Sequence, residues 1–99
     1  ILEKMMEKKV TALSFENLKD ASGHNPIVRS MSEIAGSAVM LIAGQYLSNA
    51  NHGKGVLVGG ISGIPPTKVI IIGAGIVGEY AARTALAMGA SGTWCAFIV

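Results

Sequence analysis

Residues 69–78 read Val69-Ile-Ile-Ile-Gly-Ala-Gly-Ile-Val-Gly78. β-Branched residues run straight into a G-x-G-x-x-G turn at Gly73, Gly75 and Gly78, and the alanine-rich residues 79–88 that follow are helix formers. Strand, glycine turn and helix, in that order, is what a dinucleotide pyrophosphate needs. Gly73 permits the tight turn, Gly75 lets the backbone approach the phosphates without a β-carbon in the way, and Gly78 lets the helix pack close to the strand. The helix start adds free N–H groups and a partial positive charge. A bare G-x-G-x-x-G says little in a chain with 13 glycines. Its place between an apolar strand and a helix gives it weight.

Downstream, Val77, Ala81, Ala85 and Met88 share one helical face, Gly89 is a natural stop, and residues 93–99 predict a second short strand. Upstream, residues 55–67 are too rich in glycine for regular structure, and Pro65-Pro66 sets an extended entry into the first strand. Residues 48–55 have loop composition. Before them, Ser30 and Glu33 have capping-box spacing, which predicts that a long helix opens there. Met31, Ile34, Ala35, Ala38, Val39 and Ile42 recur at helical intervals, and Tyr46 and Leu47 extend the apolar surface. Met40, Leu41 and Ala43 are apolar too, so the expectation is a helix covered on more than one side, as where it runs between two domains. Residues 16–25 are polar and turn-rich, and residues 10–15 predict a short strand. Residues 1–9 predict the last turns of a helix, with Glu3, Lys4, Glu7 and Lys8 on a solvated face with i,i+4 pairing.

The bulk numbers are those of a chain that buries its residues. Of 99 residues, 51% are hydrophobic and 14% charged, enough for one small domain or a piece of a larger one. A net charge of +2 is too small to signal nucleic acid. The longest apolar stretch, residues 34–47, is interrupted by Gly36, Ser37, Gly44 and Gln45 and is shorter than the roughly 20 residues of a membrane span. A single cysteine precludes an internal disulfide and suits a reducing compartment. With acids at Glu3 and Glu7 in place of an apolar signal segment, the expected location is the cytoplasm.

Met31-Ser-Glu-Ile-Ala-Gly36, the string Gly53-Lys-Gly-Val-Leu-Val-Gly-Gly-Ile-Ser-Gly-Ile-Pro-Pro66 and the turn at Gly73 together resemble one family. It is the alanine dehydrogenase / pyridine nucleotide transhydrogenase α-subunit group, and the resemblance is nearer the alanine dehydrogenase branch. It covers roughly residues 1–91. It implies an α/β fold in which a Rossmann-type parallel nucleotide-binding domain is joined by a long helix to a piece of the substrate domain. Residues 1–30 would be the tail of a substrate-domain segment, 31–52 the bridging helix, 53–68 a Gly/Pro-rich connection and 69–99 a truncated NAD-binding βαβ unit. The implied cofactor is NAD, and the implied small-molecule partners of the full-length parent are an amino acid and its keto acid. The expected assembly is a homo-oligomer.

By the same resemblance Ser32 contacts the cofactor, together with Gly73, Ala74, Gly75, Ile76, Val77 and Gly78 in the turn. The residue alone leaves a second reading of Ser32 open, a serine near a helix start whose hydroxyl satisfies its own backbone. The family's substrate-binding arginine and lysine and its acid/base histidine fall upstream of Ile1, and its catalytic aspartate downstream of Val99, so no catalytic residue is assigned. The acid that holds the ribose hydroxyls about 20 residues beyond the turn is replaced in register by Ala96, and residues 92–99 depart from the family pattern.

The remaining chemistry-bearing residues read as ordinary ones. His24 and His52 lie in polar loops without ligand-spaced partners, so no metal site is expected. Cys95 has no flanking base or cation to activate it. Lys54 and Lys68 flank the glycine-rich segment and the nucleotide strand; either could approach a phosphate, although keeping a loop soluble is the commoner role, and residues 55–63 lack the G-x-x-x-x-G-K-[ST] order of a phosphate loop. Two further functions stay open: a transhydrogenase α-subunit fragment, and an inactive fragment that self-associates through its unpaired sheet edge.

Overall fold

A computed structural model describes residues 1–95, and the side chains of residues 1–92. The element order is α1 (Leu2–Glu7), a 3-10 turn (Phe15–Asn17), α2 (Pro26–Leu47), a second 3-10 turn (Asn49–Asn51), β1 (Lys68–Ile72), α3 (Ile76–Ala87) and β2 (Ser91–Cys95). β1 and β2 pair in parallel, from Lys68 opposite Ser91 to Ile72 opposite Cys95, with α3 as the crossover. A parallel pair cannot be closed by a hairpin, and the helix between the strands supplies the needed length. The chain is α/β.

The β-branched run makes β1, with Val69 and Ile71 half-buried and Lys68, Ile70 and Ile72 exposed. Alanines make α3, and Ala81, Ala82 and Ala85 are its buried side. Its end is a Schellman motif: the Ala90 amide donates to the Ala85 carbonyl at 3.0 Å and the Gly89 amide to the Leu86 carbonyl at 2.9 Å. Residues 55–67 hold no helix or strand beyond an isolated Ile61–Ile64 bridge. They are tied down by Thr67, whose hydroxyl donates to the Leu57 carbonyl at 2.6 Å and whose own carbonyl accepts from Ser91 N at 3.0 Å. That anchoring brings Val58 into the core with Met40, Ala85 and Ala90, and Leu47, Val69 and Met88 pack around them.

Several local expectations are corrected. Residues 10–14 form no strand, because no partner strand reaches them among the described residues, and Phe15 enters a 3-10 turn instead. The long helix does not open at Ser30. It opens at Pro26, whose fixed φ and missing N–H suit the first helical position. Ser30 is therefore already one turn inside; its hydroxyl donates to the Pro26 carbonyl at 3.0 Å, and Glu33 binds Arg29 at 3.0 Å rather than closing a capping box. The last helix likewise begins at Ile76, inside the glycine motif. The second strand begins at Ser91, two residues before its expected start, and its expected end at Val99 lies outside the described residues. In α1, positions four apart carry like charges (Glu3 and Glu7, Lys4 and Lys8), and no ion pair forms there among the described residues.

α2 is not covered all round in this chain. Gly36 and Met40 are its buried residues, whereas Ile34, Leu41 and Tyr46 are exposed. α2 has 22 residues, and an 18-residue window within it has a mean hydropathy of 1.3, so by length and composition it is long and apolar enough to cross a membrane, which residues 34–47 alone are not. Its fit against α3, described below, is that of a packed helix. The chain as a whole is drawn out, with a radius of gyration of 19.3 Å against the roughly 13 Å of a compact domain this long.

Candidate functional site

The site is built where β1 ends. Gly73 takes φ +114°, a left-handed conformation that a side chain would strain. Gly75 caps α3 with φ −77° and ψ −176°, and no side chain bonds the helix start. The first intrahelical bond runs from Glu79 N to the Gly75 carbonyl at 2.9 Å. The amides of Ile76, Val77 and Gly78 belong to the first turn, which has no carbonyl four residues back to bond them. A β-carbon built on Gly75 meets nothing within 4 Å, whereas one on Gly78 would collide with the Gly73 carbonyl and lie 3.6 Å from Ile71 Cγ2. The glycines thus divide the work: Gly73 supplies a torsion, Gly75 leaves open space, and Gly78 permits contact.

In front of this turn lies an open groove of about 910 Å3 between α2, β1 and α3. Ser32, Gly73, Gly75, Ile76, Val77 and Gly78 line it together; Ala74 is not among its lining residues. Its walls are largely apolar, including Val39, Met40 and Ile70, so a polar ligand end would meet its hydrogen-bond donors at the turn. Ser32 is half-buried and its hydroxyl donates to the Val28 carbonyl at 3.0 Å, the local backbone bond open in the sequence reading. A hydroxyl carries one hydrogen, so Ser32 can donate to a phosphate oxygen only by rotating that hydrogen away from the Val28 carbonyl. A second groove of about 510 Å3 meets the first at Ser32 and Val77 and is lined also by Phe15, Asn25 and Met31.

The field at the turn is that of a helix start. Glu79, the acid of that first turn, is bound to Arg83 at 2.6 Å on the exposed side of α3. Lys68 lines the large groove but stands at the other end of β1, about 13 Å from Ile72 at the usual strand rise. His24 lies 3.6 Å from Asp20 in an exposed turn, and His52 ends a 3-10 turn. Among the described residues no cluster of His, Cys, Asp or Glu could hold a metal. The position in register with a ribose-binding acid, Ala96, lies outside the described residues.

One residue at the site had no assigned part in the sequence reading. Gly36 is buried where α2 crosses α3, and a β-carbon there would collide with the Val77 carbonyl. Its signal was its spacing: four residues after Ser32, it falls on the same side of the helix.

Comparison with known proteins identifies the family. The family model described as alanine dehydrogenase/PNT, C-terminal domain, matches residues 38–95. Alanine dehydrogenase from Methanococcus maripaludis is 43% identical over 89 residues, covering 90% of this chain and 24% of that protein. The enzyme of the same name from Mycobacterium tuberculosis is 37% identical over 89 residues, covering 90% and 24%. A solved L-alanine dehydrogenase superposes with a TM-score of 0.82 at 36% identity, covering 90% of this chain and 25% of the other. The chain spans about a quarter of the length of the relatives it matches. On the family match, the likeness of fold and the motifs that line the groove, the chain belongs to the alanine dehydrogenase family.

Proposed function

We propose that this chain supplies the cofactor-binding turn of an NAD-dependent alanine dehydrogenase, which converts L-alanine, NAD and water to pyruvate, ammonia and NADH. The observation that carries this reading is the uncapped start of α3 facing open space at Gly75, with Ser32 brought from α2 into the same groove. Amides of a first helical turn donate to phosphate oxygens, and the helix dipole favours their charge. In this reading Gly73, Ala74, Gly75, Ile76, Val77 and Gly78 hold the diphosphate through the backbone and Ser32 adds a hydroxyl. NAD supplies the hydride acceptor. The chain's part is to fix the cofactor and exclude water from its apolar flank.

Residues 1–30 then serve as the substrate-domain tail, which runs into the first turn of α2, residues 31–52 as the rest of that bridging helix with the 3-10 turn after it, 53–68 as the connection, and 69–99 as the start of the nucleotide domain. The protein works in the cytoplasm as a homo-oligomer. The measurement is an NAD titration of the 99-residue chain followed by Trp94 fluorescence. A saturable change that Gly75→Ala weakens supports the reading, and a folded chain that shows no change on NAD addition overturns it.

A second reading, self-association of the isolated chain, is favoured by Ile70 and Ile72, which are 67% and 75% exposed on a strand whose outer edge is unpaired among the described residues.

A further inference from the structure

Glycine is disfavoured inside helices, so an interior glycine asks for a reason. α2 has two, Gly36 and Gly44, in different surroundings. A β-carbon on Gly44 would enter open space. On Gly36 it would collide with the Val77 carbonyl, sit 2.7 Å from Tyr80 Cβ and 3.1 Å from the Ala81 amide nitrogen. Two of those three neighbours are backbone of α3 and cannot rotate away. α2 therefore rests on the first turns of α3 at Gly36, with no side chain between them.

Val77 is the second helical residue of α3, so its amide is one of the unbonded donors of the first turn. Ser32 lies one helical turn before Gly36, about 6 Å along α2. Ser32 and Val77 also line both grooves, where the two cavities meet. The depth at which α2 seats on Val77 thus sets how far the Ser32 hydroxyl stands from the α3 amides. We propose that Gly36 is a positioning residue for the cofactor site, acting through Ser32: it touches no ligand, and its missing side chain sets the spacing between that hydroxyl and the turn. The proposal rests on the NAD-binding reading above and names a part of that site which the glycine motif does not contain.

The test is a double-mutant cycle read by calorimetric titration of NAD into the 99-residue chain, with helix content followed by circular dichroism. All variants carry Gly44→Ala, which places a methyl in open space and strengthens α2. Ser32→Ala is expected to weaken NAD binding about tenfold, the loss of one hydrogen bond to a charged group. Gly36→Ala is expected to weaken it by a similar factor at unchanged helix content. The double variant should be about tenfold weaker as well, because both changes remove the same contact. Multiplied losses of about a hundredfold, an unaffected Gly36→Ala variant, or loss of helix in that variant each overturn the positioning role. If the Gly44→Ala reference itself is folded and takes no NAD, the NAD-binding reading fails, and this inference fails with it. If the reference binds and Ser32→Ala weakens it while Gly36→Ala does not, only the inference fails.

Discussion

The α-carbon of Gly78 faces the carbonyl of Gly73 so closely that a β-carbon at Gly78 would overlap it. The loop between them therefore closes on itself, and α3 starts directly behind the end of β1. The apposition couples a stability requirement to the shape of the groove, and the first predictions follow from it.

Gly78→Ala should destabilise the chain by about 1–3 kcal/mol, the usual range for an overpacked contact between elements. The methyl meets a backbone carbonyl, which has no alternative rotamer. Denaturant melts of the two proteins measure the difference, and an unchanged midpoint would show that the turn yields without cost.

Gly73 and Gly75 should separate fold from ligand. Alanine at Gly73 must hold φ +114° and should lose roughly 1–3 kcal/mol of stability. Alanine at Gly75, at φ −77° with nothing near its β-carbon, should change stability by under about 1 kcal/mol as a poorer helix cap. It should nevertheless weaken NAD binding, because its methyl occupies the space in front of the α3 amides. Equal effects of the two variants on both melting and titration would contradict this division.

The isolated chain should associate. Among the described residues the buried apolar ones are Met40, Val58 and alanines, while Ile34, Leu41, Ile70 and Ile72 face solvent. A core that thin contributes little beside the entropy of ordering the chain. Sedimentation across a concentration series should show folded oligomers. A monomer that melts sharply and cooperatively would contradict the expectation.

The isolated chain should also be catalytically silent. Taking a proton and a hydride from an amino acid calls for a positioned base; among the described residues neither carboxylate nor imidazole lines the large groove, and Lys68 stands at the far end of β1 from the turn. Alanine with NAD should yield no reduced cofactor above the protein-free rate when followed by nicotinamide absorbance. Alanine-dependent reduction by the purified chain would contradict it.

Strand, turn and helix at residues 68–87 were legible from local chemistry. A β-branched run, glycines at fixed offsets and an alanine-rich stretch each favour one backbone conformation without outside help. Gly89 as a stop was legible for the same reason. The family was legible too, because its motifs are strings of residues in order.

Where local signals competed, the reading slipped. Residues 10–15 have strand composition, but a strand exists only through a neighbour's hydrogen bonds, and no described segment lies beside them. Ser30 and Glu33 match a capping box, yet Pro26, four residues earlier, starts the helix and turns both into interior residues.

The sequence by itself determined a parallel βαβ unit with a glycine turn, since those preferences act within a few residues. Tertiary structure alone decided that α2 seats on α3 at Gly36, the contact that brings Ser32 into one groove with the turn, some forty positions away, to which the family resemblance had joined it. The physical reason is steric. A glycine in a helix announces only a missing side chain, and whether that gap meets solvent, as at Gly44, or another backbone, as at Gly36, depends on which helix the rest of the chain delivers to it.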